Sequence, residues 1–262
     1  MLSDSKGKWR IRIAFLLLFA AFGAGVWLVG DLGKLREETS ARESAKAVQA
    51  IAEVGQIEDV FKKYPSSKFL QVMAMATRAA DETTAAAEKL SKEVAPAAAA
   101  GEFNFGAASR ADLESLRRDI KTAQTNAAAF MPRYAELLKR EREKVKAEAS
   151  WHLKPETATA LLDHIDKRHA DMTVLMTRLL QVRGDFYRAY ENFVALLIGE
   201  FGSYKVVNGQ LIFPNQRAVE RYNAVANAMT SASRRVAGVE TERKALLKSG
   251  QEKWVQFVKA AW

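Results

Sequence analysis

Asp163, His164, Asp166, His169 and Asp171 are the densest gathering of possible metal ligands in this 262-residue chain, offering imidazole and carboxylate donors within nine positions. The surrounding pattern is helical, however, and His164 and His169 stand five residues apart, about 140° around a helix axis, so both rings cannot readily face one ion. His169 with Asp166, three residues apart, is the better pair, yet a third ligand is missing. The pattern therefore reads as a surface or core-edge histidine pair, and no metal is expected. His152, beside Trp151, falls at an interhelical turn without an evident partner.

Other chemistries fare no better. The chain has no cysteine, which removes thiolate zinc sites, iron–sulfur clusters, cysteine nucleophiles and a lipid-modified N-terminal cysteine. Serine catalysis wants a nucleophile on a sharp turn, and neither a G-x-S-x-G motif nor a parallel-sheet pattern occurs to present one. The run Gly199 to Lys205 (GEFGSYK) fails the spacing of a phosphate loop and lacks the flanking strand. No Glu-x-x-His motif is present to build a di-metal site in a helical bundle. The sequence thus predicts no catalytic residue, no cofactor and no enzyme.

What must position any functional surface is a set of long helices. Phe69, Met73, Ala76, Ala80, Thr83, Ala87, Leu90 and Val94 recur at steps of four and three, lining one face of a helix that ends before Pro96. Leu161, Ile165, Met172, Leu175, Leu179, Val182, Phe186, Tyr190, Phe193 and Leu197 do the same on a longer helix opened by Pro155, the expected centre of the core. Three more helices are predicted: Lys34 to Lys63 before Pro65, Arg110 to about Trp151, and Gln216 to the C-terminus. Ser109 and Asp112 form a loose N-cap signature for the second of these, and Pro132 is expected to kink or interrupt it after Phe130-Met131. Residues 95–108 read as a loop, tethered by Phe103 and Phe105. Lys139 to Lys146 (KREREKVK) reads as a solvated face laced with ion pairs.

One segment departs from helix. Over 204–213, apolar residues flank Asn208-Gly209, the strongest short hairpin signal, because both turn positions need positive φ. Pro214 stops the second arm and Asn215 is placed to cap the next helix. A lone two-stranded hairpin is marginal, so it should pack as a lid over the bundle end. Asn208-Gly209, then Phe213-Pro214, then seven residues to Tyr222-Asn223 resembles an uncharacterised family of bacterial envelope lipoproteins, a domain of unknown function with an all-helical body. The resemblance implies an envelope location and a helical fold, and no activity.

Residues 13–30 (IAFLLLFAAFGAGVWLVG) carry no charge and, at about 1.5 Å per residue, reach roughly 27 Å, long enough for a membrane span. Lys6, Lys8, Arg10 and Arg12 precede the stretch against a single Asp4, and no basic excess follows it. By the positive-inside rule residues 1–12 form a cytoplasmic tip and 31–262 a periplasmic bundle. The competing reading is a cleaved signal peptide, using the small residues around Ala20 to Gly25. Apolar residues resume at Val26-Trp27-Leu28-Val29, directly past any such cut, which favours an uncleaved signal anchor in a bacterial inner membrane.

The formal net charge is +9, and from Gln216 onward nine basic residues face four acidic ones. Outside the cytoplasm nucleic acid is not an expected partner; anionic lipid, cell-wall polymer or an acidic protein is. Arg234, Arg235 and Lys244 are the chosen interaction residues. Trp254, Phe257, Val258 and Trp262 form a narrow stripe better explained by bundle packing than by a second membrane contact. The function read from the sequence is a membrane-anchored structural or accessory interaction module, acting on a protein partner or on itself. The alternative is a ligand-sensing periplasmic domain of the four-helix type. A reporter active only in the periplasm, fused to the C-terminus, is expected to be active while the mature protein keeps its N-terminal residues; terminal sequencing that began near Val26 would show cleavage instead.

Overall fold

The computed structural model describes residues 42–95, 103–207 and 210–262, and over them the chain is all-α with one small antiparallel hairpin. A helical stretch over 42–49 leads to α1 (Gly55–Lys63), α2 (Lys68–Glu93), α3 (Arg110–His152), α4 (Pro155–Gly199), the strands β1 (Lys205–Val207) and β2 (Gln210–Ile212), and α5 (Gln216–Ala261). Each long helix packs against the next in sequence, and α4, lying between α3 and α5, is the central one. The uncharged stretch 13–30 and the turn residues Asn208 and Gly209 lie outside the described residues. Among the described residues no helix is long and apolar enough to cross a membrane.

Local chemistry sets the helix ends. The Ser109 hydroxyl accepts from the Asp112 amide at 3.2 Å while the Asp112 carboxylate accepts from the Ser109 amide at 2.9 Å, so the pair closes a capping box with aspartate where glutamate is usual. Asn215 Oδ1 accepts from the Ala218 amide at 2.9 Å and starts α5. Gly202, at φ +84°, turns the chain out of α4, and the Ser203 amide reaches the Glu200 carbonyl at 2.9 Å.

Two expectations about helix continuity need correction. The helix expected from Lys34 to Lys63 is broken at 50–54, where Gln56 Oε1 accepts from the amides of Ala52 (2.6 Å) and Glu53 (3.2 Å) and so holds the non-helical turn ahead of α1. The break lets Val48, Ile51 and Ile57 all turn inward. Pro132 does not interrupt α3. Pro132 and Ala128, whose carbonyl loses its helical donor, are both exposed, so water can satisfy that carbonyl. On the other side Phe130 and Tyr134 are buried and stack with ring centroids 5.7 Å apart, which helps offset the roughly 3 kcal/mol a helical proline costs.

The core comes in three apolar compartments along the bundle. The first joins Val48, Ile51 and Ile57 to the start of α2, Val145 and Ala149 of α3, Leu161 and Ile165 of α4, and Val255 and Val258 of α5. The middle one holds Leu90, Phe130, Tyr134, Leu138, Leu175, Leu179 and Val239. The last gathers Leu113, Leu116, Ile120, Tyr190, Phe193, Leu197 and Phe213. Phe103 and Phe105 tether their loop there, Phe105 meeting Phe193 edge-on at 5.2 Å. Phe186, expected in the core beside Leu179, is only half-buried at the margin of this last compartment.

The hairpin pairs Lys205 with Ile212, Val206 with Leu211 and Val207 with Gln210. It closes the end of the last compartment through Tyr204, Leu211 and Phe213, while Val206, Val207 and Ile212 remain exposed. Its fit to the neighbouring loop is close: a Cβ at Gly106 would sit 3.1 Å from Val206 Cγ1. The inner part of the aromatic stripe at the end of α5 is packing, as expected, while Trp262 at its tip keeps an exposed side. Trp254 Nε1 donates to Thr77 Oγ1 at 3.0 Å, Val258 is fully buried, and Trp262 meets Phe69 edge-on at 5.2 Å. Leu179 has no exposed surface, so Leu179→Ala is expected to cost about 2 to 5 kcal/mol, read from chemical unfolding.

Candidate functional site

The histidine and aspartate cluster of α4 does not converge. His164 faces α5, stacking on Phe257 at 5.0 Å and lying 5.6 Å from Trp254. Burial pushes its pKa below the ordinary histidine value, helped by the positive charges of Arg168, Lys167 and Lys253. Asp166 turns the other way, to α3, where Arg142 grips it through two bonds of 2.6 and 2.9 Å and holds its carboxyl below the usual range. Asp163 and Asp171 are exposed. His169 does not pair with Asp166 as expected. Among the described residues no group of three or more His, Asp or Glu could hold a metal ion.

His169 meets instead a residue the sequence reading passed over inside the basic run of α3. Glu141 is one of three buried polar residues among those described. Its Oε1 receives Arg168 Nη2 and lies 3.3 Å from His169 Nε2, while Oε2 is buried without a hydrogen-bond partner. Burial pushes its pKa up, but the bond from His169 and the charge of Arg168 outweigh that, and the carboxylate is held below the ordinary glutamate value. The signal that could have found it is a break in two stripes. Leu138 and Val145 are apolar stripe positions with Glu141 between them, and the α4 stripe skips from Ile165 to Met172 where Arg168 and His169 stand.

A second charged layer joins three helices further along. Arg183 donates to Ser91 Oγ at 2.8 Å and to Glu240 Oε1 at 2.5 Å, and Arg243 donates to Glu240 Oε2 at 2.7 Å. Nearby, the Tyr187 hydroxyl donates to the Val94 carbonyl at 2.7 Å. A small cleft of about 240 Å³ lies between α2 and α3, lined by Leu90, Glu93, Val94, Asn126, Phe130 and Arg133. Its polar groups are engaged with one another: Arg133 holds both Glu93 oxygens, and Asn126 Nδ2 donates to the Glu93 carbonyl at 3.0 Å. His152 does have a partner, Glu148 Oε2 at 3.5 Å one turn back.

The basic residues of α5 divide into two groups. Arg221 is bound to Glu200 and Arg235 lies 4.0 Å from Asp185, pairs that tie α5 to its neighbour, while Arg243 pairs within α5 with Glu240, which Arg183 of α4 also holds. Arg234 and Lys244 are exposed and make no ion pair among the described residues. At about 100° per residue Lys244 sits roughly 180° from Arg235 and about 80° from Arg234, so the three chosen residues do not share one face. Arg234 and Lys244 flank a strip that also holds Lys248, another exposed cation without an ion pair among the described residues. Along Lys139 to Lys146 the outer side chains form the expected solvated face, Arg140 pairing with Glu136 one turn back and Lys144 with Glu82 of α2, while Glu141 and Val145 turn inward.

Neither family models, curated proteins nor solved structures yield a match to this chain.

Removing the Glu141 carboxylate leaves Arg168 and His169 without their buried counter-charge, and Glu141→Ala is expected to cost about 3 kcal/mol, toward the low end for a broken buried pair because Arg168 reaches solvent. A depressed carboxyl pKa contributes stability that is fully present above the unfolded glutamate value and is lost as pH falls through the folded one. Urea unfolding at neutral and acidic pH should therefore show a shallower acid loss in the Glu141→Ala protein than in the native one.

Proposed function

We propose that this protein is a membrane-anchored, periplasmic helical bundle that serves as a structural or accessory interaction module for an envelope or membrane protein complex. The observation that carries the reading is the uncharged stretch 13–30, preceded by four basic residues and followed after a short spacer by a bundle. The spent interior supports it. Each of the two charged layers is an internal cross-link between helices, and the exposed surface includes a cationic strip on α5 and apolar side chains such as Trp151 at one bundle end and Val206, Val207 and Ile212 at the other. Such a molecule offers surfaces in place of a reaction centre. The envelope-lipoprotein resemblance of the hairpin segment agrees with a location outside the cytoplasm.

A ligand-sensing domain is the second reading, and the cleft beside Arg133 is the observation in its favour. Small-molecule pockets usually run from about 300 to 1,000 Å³ and present free polar groups, whereas this one is smaller and its polar lining is already paired.

The strip on α5 gives the test. Reversing Arg234, Lys244 and Lys248 to glutamate together is expected to weaken co-purification of partners from gently solubilised membranes, most visibly at low salt, where exposed charges are least screened. Reversing Arg235 alone, which is turned toward Asp185, should have a smaller effect on association. Substituting His164 and His169 should leave association intact; a loss with the histidines but not with the strip would favour a ligand site.

A further inference from the structure

Trp151 is 84% exposed, the most exposed large apolar side chain among the described residues. It stands on the last turn of α3, followed by the short connection into α4 through Leu153 and Lys154. A nearly bare indole gains nothing from the fold. Its amphipathic ring is, however, the side chain that most favours the headgroup layer of a bilayer.

The position of Trp151 in the bundle supplies the second observation. Ala149, two residues before it, belongs to the same compartment as Val48 and Ile51, and Gln49 Nε2 donates to the Lys259 carbonyl at 3.1 Å near the end of α5. The described chain begins seven residues before Gln49, so its N-terminal entry and Trp151 occupy one end of the bundle. Trp262, 38% exposed, lies at that end too, on Phe69. Exposed lysines stand close by, Lys154 in the connection and Lys68 beside Phe69, with amines able to pair with lipid phosphate. Eleven residues separate Gly30 from Arg42, which at full extension span at most about 40 Å and as helix about 17 Å. A short tether of that kind keeps this end near the membrane and makes it the end of the bundle nearer the bilayer.

We propose that the Trp151 end of the bundle rests in the lipid headgroup layer, so that the domain stands on the bilayer surface through Trp151, Trp262 and the flanking lysines. The proposal rests on the reading of residues 13–30 as a membrane span. The occupant is lipid and not a protein, because the tether fixes this end to the membrane whatever partners the rest of the domain meets.

The absence of cysteine makes the test direct. Full-length proteins carrying one cysteine each, Ser150→Cys beside the indole, Val207→Cys on the exposed hairpin and Leu17→Cys in the apolar stretch, are labelled with a nitroxide. They are reconstituted into vesicles of phosphatidylethanolamine and phosphatidylglycerol, and collision with oxygen, which concentrates in lipid, is compared with collision with a water-soluble nickel chelate. The expected oxygen-to-nickel ratio at residue 150 is several-fold higher than at 207, and adding Trp151→Ala to the Ser150→Cys protein brings it down toward the 207 value. Because the Trp151 ring is almost wholly exposed, that change leaves the fold intact. Labels at 150 and 207 that are both water-exposed, with residue 17 lipid-exposed, overturn the proposal and leave the membrane span standing. Equal lipid exposure at 150 and 207 overturns it in favour of a bundle lying flat. A water-exposed label at 17 overturns the membrane span and this proposal together.

Discussion

A buried carboxylate sets the register of the bundle. Glu141 sits at a stripe position of α3 where every neighbouring stripe residue is apolar, and there is only one place along α4 where a guanidinium and an imidazole wait opposite it. Sliding α3 by a turn or more along α4 would press the charge against Ile165 or Met172, at a desolvation cost no packing gain offsets. The cost of misalignment, more than the strength of the ion pair, is what this group contributes. Arg142 with Asp166, one residue on, repeats the constraint from the more exposed side.

Charged layers also divide the interior. Glu141 with Arg168 and His169 separates the first apolar compartment from the second, and Arg183 with Glu240, Arg243 and Ser91 lies toward the boundary of the second and third. Uniform leucine stripes on helices of 43 to 46 residues would permit several alignments of nearly equal energy; two charged layers at unequal depth permit one. Burial pushes the Tyr134 hydroxyl up to about 12 beside the first layer, so it stays neutral and leaves the charge balance there to the ionised groups.

How much of this was legible follows from the kind of signal involved. Periodicity located α2 and α4 within a residue or two because it depends only on which side chains are apolar, and the caps at Ser109 and Asn215 are local chemistry written in adjacent residues. The break at 50–54 was not legible, since the turn is held by Gln56, a side chain with no turn preference of its own. Pro132 was overweighted because the exposure of Ala128 and Pro132 is a tertiary fact. The same holds for the interaction residues: composition marked α5 as basic, but which cations are tied inward depends on acids from other elements, Asp185 and Glu200. Glu141 was visible as a flaw in a stripe, and a flaw gains meaning only when the facing helix shows its counterpart.

The stretch from Val72 to Thr77 on α2 is buried on every side, which a helix at the edge of a bundle achieves only if something covers its back. Residues 42–63 supply that cover, through Val48, Ile51 and Ile57 and the exposed clasp between Glu58 and Arg78. The covering segment is also the first described part of the chain, and it contributes three apolar anchors, Val48, Ile51 and Ile57, that are almost wholly buried. Without this strap the part of Val72–Thr77 that it covers would face water, while the contacts that align α3, α4 and α5 involve none of its residues.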